Sequence, residues 1–287
     1  MRIKQNIYKM TLNQRIGKFY DQSTPLWLDV WGEHMHHGYY PDEKVGTKTH
    51  TQAQLDLVEE ILRWGKVAGA TQILDAGCGV GGSARLLAKK YNAKVLAVTL
   101  SPVQAANGQR YNREVGLENQ VTIEAKDMMS LANSTQKFDL IWSMESAEHI
   151  ADKKALMEMF YSLLKPNGKL IMATWCHRDE PPTLKTSEQS LLGKIYKLYH
   201  LPPMVSITTL EGLAKDVGFT DVVSDDWSDY VAPFWKAVIQ SVFQWKSVKG
   251  LLQAGWPTIQ GAWAMRYMTK GYQGGLIKFG VFQGTKI

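Results

Sequence analysis

The stretch Asp75–Gly82, DAGCGVGG, sets one acid at the head of four glycines, Gly77, Gly79, Gly81 and Gly82. Such a loop can turn tightly and let a ligand approach the backbone with no Cβ in the way. Gly77, Gly79 and Gly82 also spell G-x-G-x-x-G, a pattern shared by several nucleotide-binding folds, so the glycines alone do not choose the ligand. Asp75 is more selective, because a carboxylate there favours an ammonium and repels a pyrophosphate. The next apolar run ends on Thr99, Leu100 and Ser101, where a nucleotide-binding sheet usually presents an acid to the ribose.

Groups able to move protons occur in two places. His34, His36 and His37 form HMHH, and Glu145, Glu148 and His149 lie in MESAEH. The second spacing would put all three side chains on roughly one face of a short helix. Histidine titrates near neutral pH and suits general base catalysis. His149 is the first candidate base, His36 lies on the segment expected to cover the site, and His177 ranks third. Glu148 either orients a neighbour or forms a salt bridge within the helix, and one histidine of HMHH is expected to brace the covering segment. Adjacent His36 and His37 diverge, and no carboxylate or cysteine pattern completes a metal site, so no metal is expected.

The elements that would position these groups alternate. Gln54–Trp64 has apolar residues at helical spacing. Strands are predicted at Ile73–Ala76, Lys94–Leu100, Val121–Ala125, Phe138–Met144 and Lys169–Trp175. Helices fall between them at Ser83–Tyr91, Val103–Val115 and Lys154–Leu164. This rhythm implies βαβ units and a parallel sheet. Thr208–Val217 reads as a helix, with strands at Asp221–Asp226 and Leu276–Gln283. Two inserts interrupt the pattern, Cys176–Val205 and the Trp-rich, mostly helical Val231–Tyr272. Both emerge at the ligand edge and read as a cap, since open α/β sheets bind ligands beyond the carboxyl ends of their strands. Three regions follow: residues 1–50 as a helical lid, 51–175 as the nucleotide-binding core, and 176–287 as the rest of the core with cap inserts at about 176–206 and 228–274.

The chain has 287 residues, 45% hydrophobic and 21% charged, with two cysteines and a net charge of +6. That composition suits a globular enzyme. No apolar run reaches bilayer-spanning length, and the start lacks the apolar core of a secretory signal. Cys78 and Cys176 form no disulfide framework or C-x-x-C pair, which fits a reducing, cytoplasmic setting. No nucleic-acid-binding module is recognisable. Arg2, Lys4, Lys9, Arg15 and Lys18 precede the first acid, Asp21, so a peripheral contact with an anionic intracellular membrane is expected, beside the alternative of a solvated tip.

From residue 70 to 176 the loop, FDLIWSMESAEHI and LKPNGKLIMATW resemble the class I methyltransferases dependent on S-adenosylmethionine. VTLSPVQ resembles the branch holding cyclopropane fatty acid synthases, sterol C-methyltransferases and tocopherol methyltransferases. FYDQSTPLWLDVWGEHMHHGYYP, LIMATWCHR, DWSDYVAPFW and GYQGGLIKFGVF extend the likeness over nearly the whole chain, to the γ-tocopherol methyltransferase family of cyanobacterial type. Plant alkaloid N-methyltransferases share much of the pattern.

The resemblance implies a Rossmann-like doubly wound sheet of seven mostly parallel strands, the last antiparallel, with helical cap inserts. S-adenosylmethionine would be the cofactor and S-adenosylhomocysteine its product. Asp75, Gly77 and Gly79 would hold the methionine part; Thr99, Leu100 and Gln104 the ribose; Asp127 the adenine; and Tyr20, Met128 and Met144 would lie close by. Gln104 suits a diol because its amide both donates and accepts. His149, Glu148 and His36 would be catalytic. Tyr39 is a further candidate beside the sulfonium, and Trp142, Trp175, Trp235 and Trp256 could wall the acceptor pocket. The implied reaction is carbon methylation of a lipophilic phenol, γ- to α-tocopherol in type. N-methylation of a small amine or indole alkaloid is the alternative, and a non-catalytic binder of the cofactor a more distant one. Ala147 departs from the family's Gly in ESGEH, which leaves acceptor identity more open than methyl transfer itself.

Overall fold

A computed structural model describes residues 10–41, 48–235, 237 and 256–287, with the backbone alone for Val30 and 256–264. It opens on helix α1, Leu12–Trp31. Thr11 and Gln14 cap it reciprocally, Gln14 N–H to Thr11 Oγ1 at 3.3 Å and Thr11 N–H to Gln14 Oε1 at 2.9 Å. Two of the unpaired donors at the helix start are satisfied in this way. Helix α2, His50–Trp64, follows.

The core then alternates: β1 Gln72–Ala76, α3 Gly82–Tyr91, β2 Lys94–Thr99, α4 Pro102–Glu114, β3 Val121–Ala125, β4 Phe138–Met144, α5 Lys153–Leu163 and β5 Leu164–His177. It continues through α6 Thr186–Tyr199, α7 Ile207–Val217, β6 Thr220–Asp226, α8 Ser228–Val231, α9 Trp256–Gln273 and β7 Ile277–Thr285. The sheet order is β3-β2-β1-β4-β5-β7-β6, parallel except for β7, which runs against both β5 and β6. The expected seven-stranded sheet with its antiparallel last strand is therefore present.

Successive strand residues face opposite sides. In β1, Ile73 packs with α2 and α3, whereas Leu74 and Ala76 pack with α5. The chain order reverses beside β1, whose neighbours are β2 and β4. That switch point leaves a crevice at the strand ends. Asp75 near the end of β1 and Glu145 just after β4 both stand at it.

Several boundaries differ from expectation. Pro166-Asn167-Gly168 does not separate helix from strand. β5 begins at Leu164, and Asn167, at φ +62°, sits in a bulge between the Phe138–Leu164 and Leu140–Lys169 pairings. The first cap insert holds α6 and the second ends in α9. Much of Val231–Tyr272 lies outside the described residues, as do Arg2, Lys4 and Lys9. Among the described residues no helix is long and apolar enough to cross a membrane.

Candidate active site

The glycine loop is held where β1 meets β2: the N–H groups of Gly77 and Cys78 both donate to Val98 O, at 3.0 and 2.9 Å. Gly77 has φ +93°, and a Cβ there would fall 2.2 Å from Ser146 Cβ. Gly79, at φ +54°, would meet only Met35 Sδ, at 3.9 Å, so its open side faces a cavity. Gly82, third glycine of the pattern, serves another purpose. A Cβ there would reach Glu33 O at 2.6 Å and the His34 ring at 3.0 Å. The start of α3, where a pyrophosphate would dock, is thus covered by the chain leaving α1. The cover is pinned by Glu33 Oε2 to Arg85 at 2.5 Å.

The cavity beside the loop spans about 820 Å³, its open mouth included. All ten residues expected at the cofactor line it: Tyr20, Asp75, Gly77, Gly79, Thr99, Leu100, Gln104, Asp127, Met128 and Met144. Asp75 is 1% exposed and its Oδ2 has no partner among the described residues. Burial pushes its carboxyl up to about 7, against the pull of the Ala84 amide and the Arg85 charge. Gln104 Oε1 accepts from Thr99 Oγ1 at 2.7 Å, and its Nε2 reaches Met35 Sδ at 3.6 Å. Asp127 Oδ2 accepts from Asn13 Nδ2 at 2.6 Å, and Oδ1 caps Met129 N–H at 2.9 Å.

These groups fit S-adenosylmethionine. The buried Asp75 carboxylate suits a cation, Gln104 and Thr99 can meet a diol, and Asp127 can accept from an amine. Helix α1 closes over them through Asn13, through Asp21 Oδ1, which accepts from Ser101 Oγ at 2.5 Å, and through Tyr20.

A second cavity, about 750 Å³, adjoins the first and is walled by aromatic side chains. Trp175 and Trp235 line it as expected, with Phe19, Trp27, Trp31, Tyr199 and Phe234, which sequence reasoning did not pick out. Trp142 is instead buried in the core, Tyr39 packs on Trp227 and Tyr230, and the Trp256 side chain lies outside what is described. Tyr20, Met35, His36, Glu145 and His149 belong to both cavities and form their common wall.

The MESAEH groups converge, but not on one helix face. Glu145 takes a left-handed conformation, φ +47°, and a single 3₁₀ turn, Ala147–His149, follows. The buried Lys153 ammonium donates to the carbonyls of Ala147, Glu148 and Ile150 and clamps that turn. Glu148 Oε2 accepts from Thr174 Oγ1 at 2.8 Å. Burial and the nearby Glu145 charge push the Glu148 carboxyl up to about 8, so it is largely protonated at neutral pH. His149 Nε2 lies 2.8 Å from Tyr20 Oη, and its Nδ1 has no partner among the described residues. Burial, then the charge of Lys153, lowers His149 to about 4, which keeps the ring neutral.

His36 has both nitrogens engaged, Nδ1 with His37 O at 2.8 Å and Nε2 with His34 Nδ1 at 3.2 Å. It braces the wall, with no nitrogen left free to accept a proton. His177 is bound to Arg178 O at 2.7 Å, lines neither cavity, and drops out as a base. Among the described residues, Glu145 accepts three hydrogen bonds in the site. It accepts from His37 N–H at 2.7 Å and His37 Nδ1 at 2.7 Å, and from Trp175 Nε1 at 3.1 Å. Ala147 lines neither cavity; it is buried in the part of the core that holds Leu74 and Leu156. Among the described residues no cluster of metal-ligating groups occurs.

A model of the family described as mycolic acid cyclopropane synthetase matches residues 8–229. The chain is 40% identical over 284 residues to a probable chloroplastic tocopherol O-methyltransferase of Oryza sativa subsp. japonica, covering 96% of this chain and 78% of that protein. It is 38% identical over 287 residues to the chloroplastic tocopherol O-methyltransferase of Arabidopsis thaliana, covering 96% and 82%. Among solved structures, the cyclopropane synthase MmaA2 of Mycobacterium tuberculosis shares the fold, with a TM-score of 0.81 at 18% identity, over 96% of this chain and 98% of that one.

Proposed function

Because the chain belongs to the mycolic acid cyclopropane synthetase family and, within it, to the tocopherol methyltransferases that use S-adenosylmethionine, we propose that it methylates a ring carbon beside the hydroxyl of a prenylated phenol of tocopherol type. The observation that carries this reading is the pair of cavities with one common wall. One is shaped by a glycine loop and lined by Asp75, Gln104 and Asp127, and the other is aromatic enough for a lipophilic ring and tail. When bound, S-adenosylmethionine supplies an electrophilic methyl group on a sulfonium.

The residues of this chain do the rest by holding and by proton movement. Asp75 would hold the ammonium and Gln104 the ribose. The shared wall would position the acceptor ring beside the cofactor, and such positioning can supply much of the acceleration. A free phenol titrates near ~10, so its hydroxyl needs help to donate electrons to the ring. In the tautomer whose Nε2–H donates to the Tyr20 oxygen, His149 offers the Nδ1 lone pair to that hydroxyl. The neutral ring draws the proton during methyl transfer and returns it afterwards. Glu148, as a neutral acid, orients the acceptor oxygen by donating to it. His36 keeps the wall in place.

A lipophilic acceptor and the net charge of +6 also support transient attachment to an anionic membrane surface. The direct test is incubation with S-adenosylmethionine and either γ-tocopherol or a panel of small amines and alkaloids, read by mass. A product in which one hydrogen of the phenol has been replaced by a methyl group supports the reading. Methylation confined to the amines, with the cofactor bound normally, removes it.

A further inference from the structure

Carbon methylation of a phenol involves proton transfers at two adjacent atoms. As the ring carbon forms its bond to the methyl group and the methyl–sulfur bond breaks, the hydroxyl gives up its proton and the ring becomes a cyclohexadienone. The methylated carbon still carries its original hydrogen. That hydrogen must leave as a proton, its C–H electron pair returning to the ring, while the carbonyl oxygen regains a proton. One proton is released overall, and the oxygen and the carbon each call for a group of their own.

Resting on the function proposed above, we propose that His37, held by Glu145, is the catalytic base that removes the ring hydrogen. His37 is 1% exposed, and its Nδ1 and backbone N–H both meet the Glu145 carboxylate at 2.7 Å. Burial would raise the Glu145 carboxyl, but the His37 contacts hold it below the usual range and keep it ionised. An ionised carboxylate only accepts, so Nδ1 carries the hydrogen, and the lone pair of the ring's neutral form is the one on Nε2. That Nε2 is buried with no partner among the described residues.

The setting suits a proton acceptor. Phe234 and Trp235 lie 5.0 and 5.1 Å from the imidazole, ring centre to ring centre, so aromatic neighbours and Glu145 together accommodate a transient imidazolium. Glu145 lines both cavities and His37 the aromatic one, so the pair runs from the shared wall into the acceptor space. His149 is distinct, being tied to Tyr20. The left-handed φ of Glu145, at a residue that is not glycine, is backbone strain concentrated where this carboxylate is aimed.

The test compares a phenolic acceptor carrying deuterium at the methylated carbon with the ordinary one, in the full chain, in His37→Gln and in Glu145→Gln. The wild type should show an isotope effect near unity, because methyl transfer precedes C–H cleavage. In His37→Gln kcat should fall by about 10²–10⁴-fold, with KM little changed and the isotope effect well above unity. Glu145→Gln should show the same isotope signature with a smaller loss, which covers the case of a misfolded His37 variant. An isotope effect that stays at unity in the folded variants, whatever their rate, overturns the proposal. A wild type that makes no carbon-methylated product overturns the functional reading beneath it, a separate failure.

Discussion

Asp75 makes the clearest prediction at the scale of a single residue. Burial pushes its carboxyl up to about 7, and one of its oxygens has no partner among the described residues. A cationic ligand favours the ionised form, so binding should release a proton at pH 6 and weaken as pH falls below about 7, toward tenfold per unit. Calorimetry in buffers of differing ionisation enthalpy reads that proton directly. Asp75→Asn should weaken S-adenosylmethionine by roughly 1.5–3 kcal/mol, the usual worth of a charge-assisted hydrogen bond. His149→Asn should lower kcat by about 10²–10⁴-fold with cofactor affinity unchanged, and an unchanged kcat would remove its assigned role. Asp75, the glycines and Gln104 were legible in the sequence because their chemistry is local to a few residues. The Glu145–His37 pair was not, since its partners are 108 positions apart and meet only through the fold.

Two elements carry the site, and they were not equally readable. The βαβ core followed from alternating apolar runs, and its strands lie within a few residues of expectation. The expected helix over MESAEH failed because periodicity cannot reveal a left-handed residue or a turn clamped from elsewhere. Lys153 is the clamp, and deleting its ammonium leaves three carbonyls short of a donor. Lys153→Met should therefore cost about 1–3 kcal/mol in thermal or urea unfolding. It should also lower kcat by displacing Glu148 and His149; a variant as stable and active as the wild type would contradict the clamp. Helix α1 is the other element. Asp21→Asn weakens its tie to Ser101 and Val103. Faster amide exchange in residues 12–31 and a higher KM for S-adenosylmethionine should follow, with the core's exchange unchanged.

For the molecule as a whole, buried titratable groups couple stability to pH. Glu148 and Asp75 are raised to about 8 and 7, so the folded chain binds protons the unfolded chain has lost. Their contribution is complete below about pH 4 and disappears as pH rises through 7 and 8. His34 and His149, lowered to about 3 and 4, act oppositely: their contribution is present above 6.5 and is lost as pH falls toward 3. Between pH 4 and 6.5 the two effects offset each other. Above 6.5 stability should fall by up to ~1.4 kcal/mol per unit for each carboxyl still titrating. Glu148→Gln should flatten the slope of unfolding free energy between pH 6.5 and 8.5, and an unaltered slope would contradict the assignment. Charge acts at this scale too. Binding to anionic vesicles should be measurable at low ionic strength and absent near 1 M salt, where screening shortens to about 3 Å.

The position of the transferred methyl group tests the central claim most directly. With S-adenosylmethionine carrying a ¹³C methyl and γ-tocopherol as acceptor, carbon NMR of the product should place the label on the ring carbon beside the free hydroxyl. A label on the phenolic oxygen, or no labelled phenol from protein that binds the cofactor, would contradict it.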